Sequence, residues 1–210
     1  MDFQYAIFDM DGTLLDSIPY WNRLALDYLA ELGAVGPEDL NDRMSSMSIQ
    51  EAAVFLKKEF RLSKTAEVIC RELCGRIEKN YAEDIQLKPG AASYLERLKK
   101  KGVRMCVATA SSAELGRTAL ERNKVLPYFD FLLDCGMAGS GKTSPDVYFM
   151  AAGRFGAEPS ECAVIEDASF ALKTAREAGF WTIGIYESSE LSPDTAKEYS
   201  SQYVMSFEEL

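Results

Sequence analysis

Apolar residues follow two different rhythms along the chain, and the change between them divides the sequence. The first run, "YAIF" (5–8), is too short for a helix and stops at the polar stretch "DMDGTLLDS". It predicts a buried strand that ends in a loop. From about Ile18 to Leu87 the apolar residues recur at steps of three and four. Trp21, Leu24, Ala25, Tyr28, Leu29 and Leu32 form one such stripe, and Gly33 closes it. Ser48 with Glu51 reads as a capping box that opens "IQEAAVFLKKEF". Val68, Ile69, Leu73, Ile77 and Tyr81 mark a further amphipathic helix.

After Pro89-Gly90 the rhythm becomes an alternation. The helical pattern "AASYLERLKKKG" leads to the strand "VRMCVAT" (103–109), and "SAELGRTALERN" leads to "FDFLLDC" (129–135). A helix from Pro145 leads to "CAVIE" (162–166), then "ASFALKTAREAG" leads to "WTIGIY" (181–186), with a weaker strand "QYVMS" near the end. Repeated βα units with continuously apolar strands predict an α/β fold built on a doubly wound parallel sheet. Residues 1–17 and 88–210 supply that Rossmann-like core domain. Residues 18–87 interrupt it between the first and second strands as an inserted helical lid.

Composition adds limits. A chain of 210 residues, 47% hydrophobic and 27% charged, suits one ordinary domain or a core with a smaller insertion. No stretch approaches the roughly 20 apolar residues of a membrane span, and "MDFQYAIFDMDG" carries acids where a secretory signal carries bases. The expectation is a cytoplasmic protein with no membrane partner. Cys106, Cys135 and Cys162 lie in strand-like runs, and Cys70 and Cys74 share a helical face. With no histidine in the chain, buried free thiols fit better than a zinc site. The net charge of −10 argues against a nucleic-acid partner. It also means that a phosphate site would need a cation, and any general acid or base must be Asp, Glu, Lys, Tyr or Cys.

One stretch, "GMAGSGKT" (136–143), fits the nucleotide-binding pattern G-x-x-x-x-G-K-[ST] and follows an apolar run. Against it, Ser144-Pro145 reads as the N-cap and first residue of the next helix, so Lys142 stays in the loop instead of opening a helix.

Open α/β sheets bind ligands at the carboxyl ends of their strands. There the chain places Asp9 and Asp11 after strand one, with Thr13 beyond; "TASS" (109–112) after strand two; Lys142 after strand three; and Glu166-Asp167 after strand four. Carboxylates, hydroxyls, a helix start and a lysine describe a Mg²⁺ site facing an anion site. Mg²⁺ takes hard oxygen ligands at about 2.0–2.1 Å and is held by only a few carboxylates, and acids gathered there would repel one another without it. The backbone N–H groups of "TASS" offer an anion cradle at a helix N-terminus. Asp9 suits a covalent nucleophile toward phosphorus, and Asp11 a general acid and base.

Together these segments resemble the haloacid-dehalogenase-like hydrolase superfamily, nearest to its beta-phosphoglucomutase-like phosphatases. "FDMDGTLLDS" is similar to the first motif, "VATASS" to the second, "GKTSPDVYF" to the third and "VIEDASFALKTAREAG" to the fourth. The resemblance spans nearly the whole chain, with 18–87 matching the family's first type of cap. It implies a Mg²⁺-dependent phosphatase acting on a small phosphorylated metabolite through an aspartyl-phosphate. Asp9 would be the nucleophile and Asp11 the acid/base, its backbone carbonyl also reaching the metal. Thr109, with Ala110 and Lys142, would hold the phosphoryl group, and Asp167 with Glu166 would complete the Mg²⁺ site.

Some positions depart from the pattern. The fourth motif usually carries Ser and Gly where this chain has Ala168 and Ala171. The mutases of the group carry a cap histidine and a cap arginine where this chain has Trp21 and Ile49, which disfavours mutase chemistry. A phosphonate hydrolase would need a cap lysine; Lys57 and Lys58 read as solvated helix charges. Trp21, Met44 and Met47 either face a substrate or pack within the lid.

Overall fold

The computed structural model describes residues 3–44, 47 and 49–210, without the side chain of Asp42. Among them, six strands form one sheet: β1 (Tyr5–Phe8), β2 (Arg104–Thr109), β3 (Phe129–Asp134), β4 (Cys162–Glu166), β5 (Trp181–Ile185) and β6 (Gln202–Val204). Every pairing is parallel and the order is β3-β2-β1-β4-β5-β6. The chain therefore winds outward twice from β1, and the order reverses between β1 and β4. This is the doubly wound sheet that the alternation predicts.

The helices, in chain order, are α1 (Ile18–Glu31), α2 (Leu40–Met44), α3 (Ile49–Glu59), α4 (Ala66–Glu83), α5 (Ala91–Lys100), α6 (Ala113–Arg122), α7 (Cys135–Ala138), α8 (Asp146–Phe155), α9 (Ser169–Glu177) and α10 (Pro193–Glu198). The chain forms two compact units, Met1–Asp16 with Gln86–Leu210, and Ser17–Ile85.

In the larger unit both faces of the central strands are covered, which explains their unbroken apolar runs. On one face Ile7, Cys106, Leu133, Val164, Tyr148 and Phe180 belong to a single buried cluster. On the other, Phe8 meets the rings of Tyr94 and Phe129. Where the insertion leaves and returns, the two linkers bond to each other. Leu15 pairs with Leu87, Asp16 N–H donates to Gln86 O (2.9 Å) and Lys88 N–H to Leu14 O (2.9 Å). The larger unit thus closes on itself across the break.

The smaller unit, Ser17–Ile85, is helical. Leu24, Ala25, Tyr28 and Leu29 of α1 are buried, as are Ile69, Leu73, Ile77 and Tyr81 of α4. Leu32 is not part of that stripe: it lies past the end of α1, 39% exposed, because Gly33 adopts φ +73° and turns the chain away. Trp21 donates its indole N–H to the Tyr81 hydroxyl (3.2 Å), so its polar edge is satisfied within this unit. Lys57 and Lys58 are exposed in the last turn of α3. The capping box expected at Ser48 lies outside the described residues. Cys106 and Cys162 are buried, Cys70, Cys74 and Cys135 half-buried, and all five are free thiols. Among the described residues no helix is long and apolar enough to cross a membrane.

The stretch that fits a nucleotide loop folds otherwise. Residues 135–138 are the single turn α7, capped by Asp134, whose Oδ1 accepts from Met137 N–H (2.9 Å), and Gly139 ends it at φ +79°. Lys142 then follows in a separate turn closed by Ser144 N–H to Gly141 O (3.0 Å). The next helix starts one residue later than expected, at Asp146, with Pro145 as N-cap. Ser144 does not cap it, because its hydroxyl binds the Asp146 carboxylate (2.8 Å).

Candidate active site

At the carboxyl edge of the sheet, β1 and β4 deliver their acids side by side across the point where the strand order reverses. Asp9 follows β1, its N–H bonded to Ile165 O (2.9 Å); Glu166 ends β4 and Asp167 follows it. One oxygen from each of Asp9, Glu166 and Asp167 lies within 4.8 Å of the others, and all three residues are buried. Lys142, also buried, places its ammonium between the first two, donating to Asp9 Oδ1 and to Glu166 Oε1 (2.6 Å). Residues 133 and 24 positions apart in sequence thus share one ion-pair cluster.

The remaining contacts sort these carboxylates. Glu166 is saturated: Oε1 takes Lys142 and the Tyr148 hydroxyl (3.4 Å), while Oε2 accepts from the N–H groups of Asp167 (2.9 Å) and Ala168 (3.3 Å). Asp167 Oδ1 accepts from the Thr13 hydroxyl (2.6 Å). Asp9 Oδ2 and Asp167 Oδ2 take no donor among the described residues.

Electrostatics follows from the count of charges. Burial, and then the Glu166 carboxylate, push the Asp9 carboxyl up to about 7 even though Lys142 opposes them. Burial, Glu166 and Asp9 raise Asp167 well above the carboxylate range. Burial alone would lower Lys142, but Asp9 and Glu166 outweigh it and hold the ammonium well above its ordinary value. Three buried acids against one lysine leave the cluster short of positive charge. Two carboxylate oxygens without donors at that same cluster are what a hard divalent cation takes as ligands, so the residues fit Mg²⁺.

Asp11 stands apart. It is half-buried, its carboxylate is not among the clustered oxygens, and its Oδ2 accepts from the Ser111 hydroxyl (2.6 Å). The carboxylate is thus held away from the three clustered acids, and the metal contact expected of Asp11 is through its backbone carbonyl. Between the two aspartates' turn and Asp167 there is almost no room. Gly12 has φ +88°, and a Cβ there would lie 2.4 Å from Asp167 Oδ2.

The cradle expected at "TASS" is narrower than its sequence suggests. Thr109 is buried and its hydroxyl oxygen accepts from Ser111 N–H (3.0 Å). Ala113 N–H goes to Asp134 Oδ2 (3.1 Å), and the Ser112 hydroxyl caps α6 by accepting from Glu114 and Leu115. Most amide donors at this helix start are therefore consumed locally. Those of Ala110, which is exposed, and Ser112 have no acceptor among the described residues. Sequence reading placed Ser111 in the backbone cradle but foresaw no side-chain bond from it to Asp11, and it gave no role to Tyr148 or Asp134. Ser111 could have been flagged by its place in the strand-end motif, the other two only by tertiary structure.

Comparison with known proteins agrees with this architecture. The family model for haloacid dehalogenase-like hydrolases matches residues 3–179. Hexitol phosphatase A of Escherichia coli is 29% identical over 181 residues, covering 85% of this chain and 81% of that protein. Beta-phosphoglucomutase of Bacillus subtilis is 27% identical over 191 residues, covering 86% and 82%. The crystal structure of CbbY from Rhodobacter sphaeroides in complex with phosphate superposes with a TM-score of 0.77 at 25% identity, covering 100% of this chain and 96% of that one.

Proposed function

The chain belongs to the haloacid dehalogenase-like hydrolase family, and from that premise we propose that it is a Mg²⁺-dependent phosphatase that hydrolyses a small phosphorylated metabolite of the sugar-phosphate class. The observation that carries the reading is the buried cluster of Asp9, Glu166 and Asp167 with Lys142 between two of them. The sugar-phosphate class rests on relatives such as hexitol phosphatase A.

In this reading the ionised Asp9 attacks phosphorus, and the bond from phosphorus to the substrate alcohol breaks. Asp11, steered by Ser111, gives its proton to the leaving oxygen. The aspartyl-phosphate on Asp9 is then hydrolysed by water, whose proton returns to Asp11, releasing phosphate and restoring both carboxyl groups. Lys142, the Thr109 hydroxyl and the Ala110 amide neutralise and orient the transferring phosphoryl group. A divalent cation held by Asp9, Asp167 and the Asp11 carbonyl supplies the positive charge that lets two anions approach. Glu166 orients Lys142 and the turn of Asp167.

The helical unit Ser17–Ile85 acts as the cap that excludes water during transfer. Hydrolysis is favoured over transfer to a second sugar phosphate, because this chain has Trp21 and Ile49 where the resemblance puts the mutases' cap histidine and arginine. The protein works as a soluble cytoplasmic enzyme without a nucleic-acid or membrane partner.

The test is a panel of sugar phosphates and p-nitrophenyl phosphate, assayed with Mg²⁺ and with chelator, on the wild type and Asp9→Asn. Turnover that requires Mg²⁺ and disappears in a folded Asp9→Asn protein supports the proposal. Near-normal turnover in that variant refutes it, and turnover only with an added sugar bisphosphate favours a mutase.

A further inference from the structure

The helix that follows the acidic pair begins without a cap of its own. Its N-cap residue is Ala168, whose side chain can accept nothing, although a helix start leaves several amide hydrogens unsatisfied. The missing acceptor arrives from the loop after β5. Glu190 Oε2 accepts from Ser169 N–H (3.0 Å) and its Oε1 from the Ser169 hydroxyl (3.0 Å). From the other side, Glu166 Oε2 accepts from the amides of Asp167 and Ala168. Three consecutive amides are thus held by two glutamates, and Asp167 sits within that clamp.

Glu190 is itself fixed. It accepts from Ser192 N–H (2.7 Å), and its own N–H donates to Glu187 O (3.2 Å). Glu187 is buried, with Oε2 on the Lys88 ammonium (2.6 Å) and Oε1 on the Ser188 hydroxyl (3.1 Å). Lys88 also donates to Tyr186 O (3.0 Å), and its backbone is bonded to Leu14 in the loop that follows Asp9. The segment 186–192 therefore runs as a braced strut from the motif carrying Asp9 to the turn carrying Asp167.

We infer that Glu190 is a positioning residue for Asp167: an N-cap supplied from a distant loop that sets where this carboxylate points. The inference rests on the reading of Asp167 as a metal-binding acid. Groups that orient metal ligands commonly change metal affinity by about 10–100-fold when removed. Glu190 acts one step further out, so the effect belongs at the lower end.

The test compares the wild type, Glu190→Ala, Glu190→Gln and the double variant Ala168→Ser/Glu190→Ala. Mg²⁺ binding to metal-free protein is measured by calorimetric titration, and turnover of p-nitrophenyl phosphate is measured against Mg²⁺ concentration. Glu190→Ala should weaken Mg²⁺ binding about tenfold and raise half-saturation equally, with kcat at saturating Mg²⁺ within about twofold of wild type. Glu190→Gln, which keeps one acceptor, should lie between. Ala168→Ser restores a local cap and should recover most of the lost affinity. Unchanged affinity in both single variants, or a loss that Ala168→Ser does not reverse, overturns the inference. A wild type that binds no Mg²⁺ removes its premise and fails the proposed function as well, so the two failures are distinguishable.

Discussion

Replacing Gly12 by alanine tests the geometry of the site at one atom. The added Cβ would stand 2.4 Å from Asp167 Oδ2, 2.9 Å from Cγ and 3.1 Å from Oδ1. Ordinary contact begins at 3.4 Å, so the carboxylate must retreat by 3.4 − 2.4 = 1.0 Å. It cannot do so without loosening its hydrogen bond from Thr13, a bond to a charged group with a typical net value of about 1.5–3 kcal/mol. The φ of +88° adds strain, with a usual cost of about 1–3 kcal/mol. The sum, roughly 2.5–6 kcal/mol, corresponds to a Tm lower by about 5–24 °C in a chain of this size. Gly102→Ala separates the two contributions, since Gly102 has φ +80° but nothing within 4 Å of its would-be Cβ. That control carries strain alone. Thermal unfolding of both variants, with Mg²⁺ and with chelator, reads the outcome. Gly12→Ala should lose most of the Mg²⁺-dependent rise in Tm, and Gly102→Ala should keep it. If Gly12→Ala keeps the wild-type response to Mg²⁺, Asp167 is not a metal-binding acid and the close approach has no functional meaning.

Two further outcomes follow from the same cluster. Asp9, held up to about 7 from an ordinary 3.8, and Asp167, raised well above the same value, stabilise the metal-free fold at pH below 3.8. That contribution is lost as pH rises through about 7. The Tm of chelated protein should therefore fall between pH 5 and 8 while Mg²⁺ adds more at pH 8 than at pH 5, and a Mg²⁺ effect independent of pH would contradict the shared-charge account. Ser111→Ala removes the donor to Asp11 Oδ2 and should lower kcat by roughly fivefold, the value of one hydrogen bond of about 1 kcal/mol. KM should stay within about twofold, and a change confined to KM would place Ser111 in substrate binding instead.

The strands were the most legible part of the chain. β1 and β4 are short apolar blocks that stop at acids, and burial on both faces removes the alternation that would mark a half-exposed strand. Chemistry was legible as far as the strand ends, because the parallel order puts the residues after β1, β2, β3 and β4 on one edge. What sequence could not give is which side chain meets which. Ser111 reaches Asp11 across 100 residues, and Ser169 meets Glu190 across 21, by loop paths that leave no periodic trace. The same applies to Leu32, where the stripe continues in sequence after the helix has ended. At Ser144 the capping signal was real but was outcompeted by a local bond to Asp146.

Lys142 shows why a motif match and a site are different things. In a nucleotide loop the lysine opens a helix and faces phosphate, with amides of the same turn around it. Here two carboxylates already occupy the ammonium, and the residues before it form the single turn α7, which Gly139 ends, and not a phosphate loop. A lysine so placed shares its charge with Asp9 and Glu166, so in the proposed reading it helps to orient a phosphoryl group beside Asp9 and does not hold one alone. Under the proposed function, phosphate affinity would come from additional positive charge at Asp9 and Asp167, whose remaining oxygens take no donor among the described residues. In that reading, the same deficit that makes the cluster costly to bury without a cation would favour a cation and a phosphoryl group together.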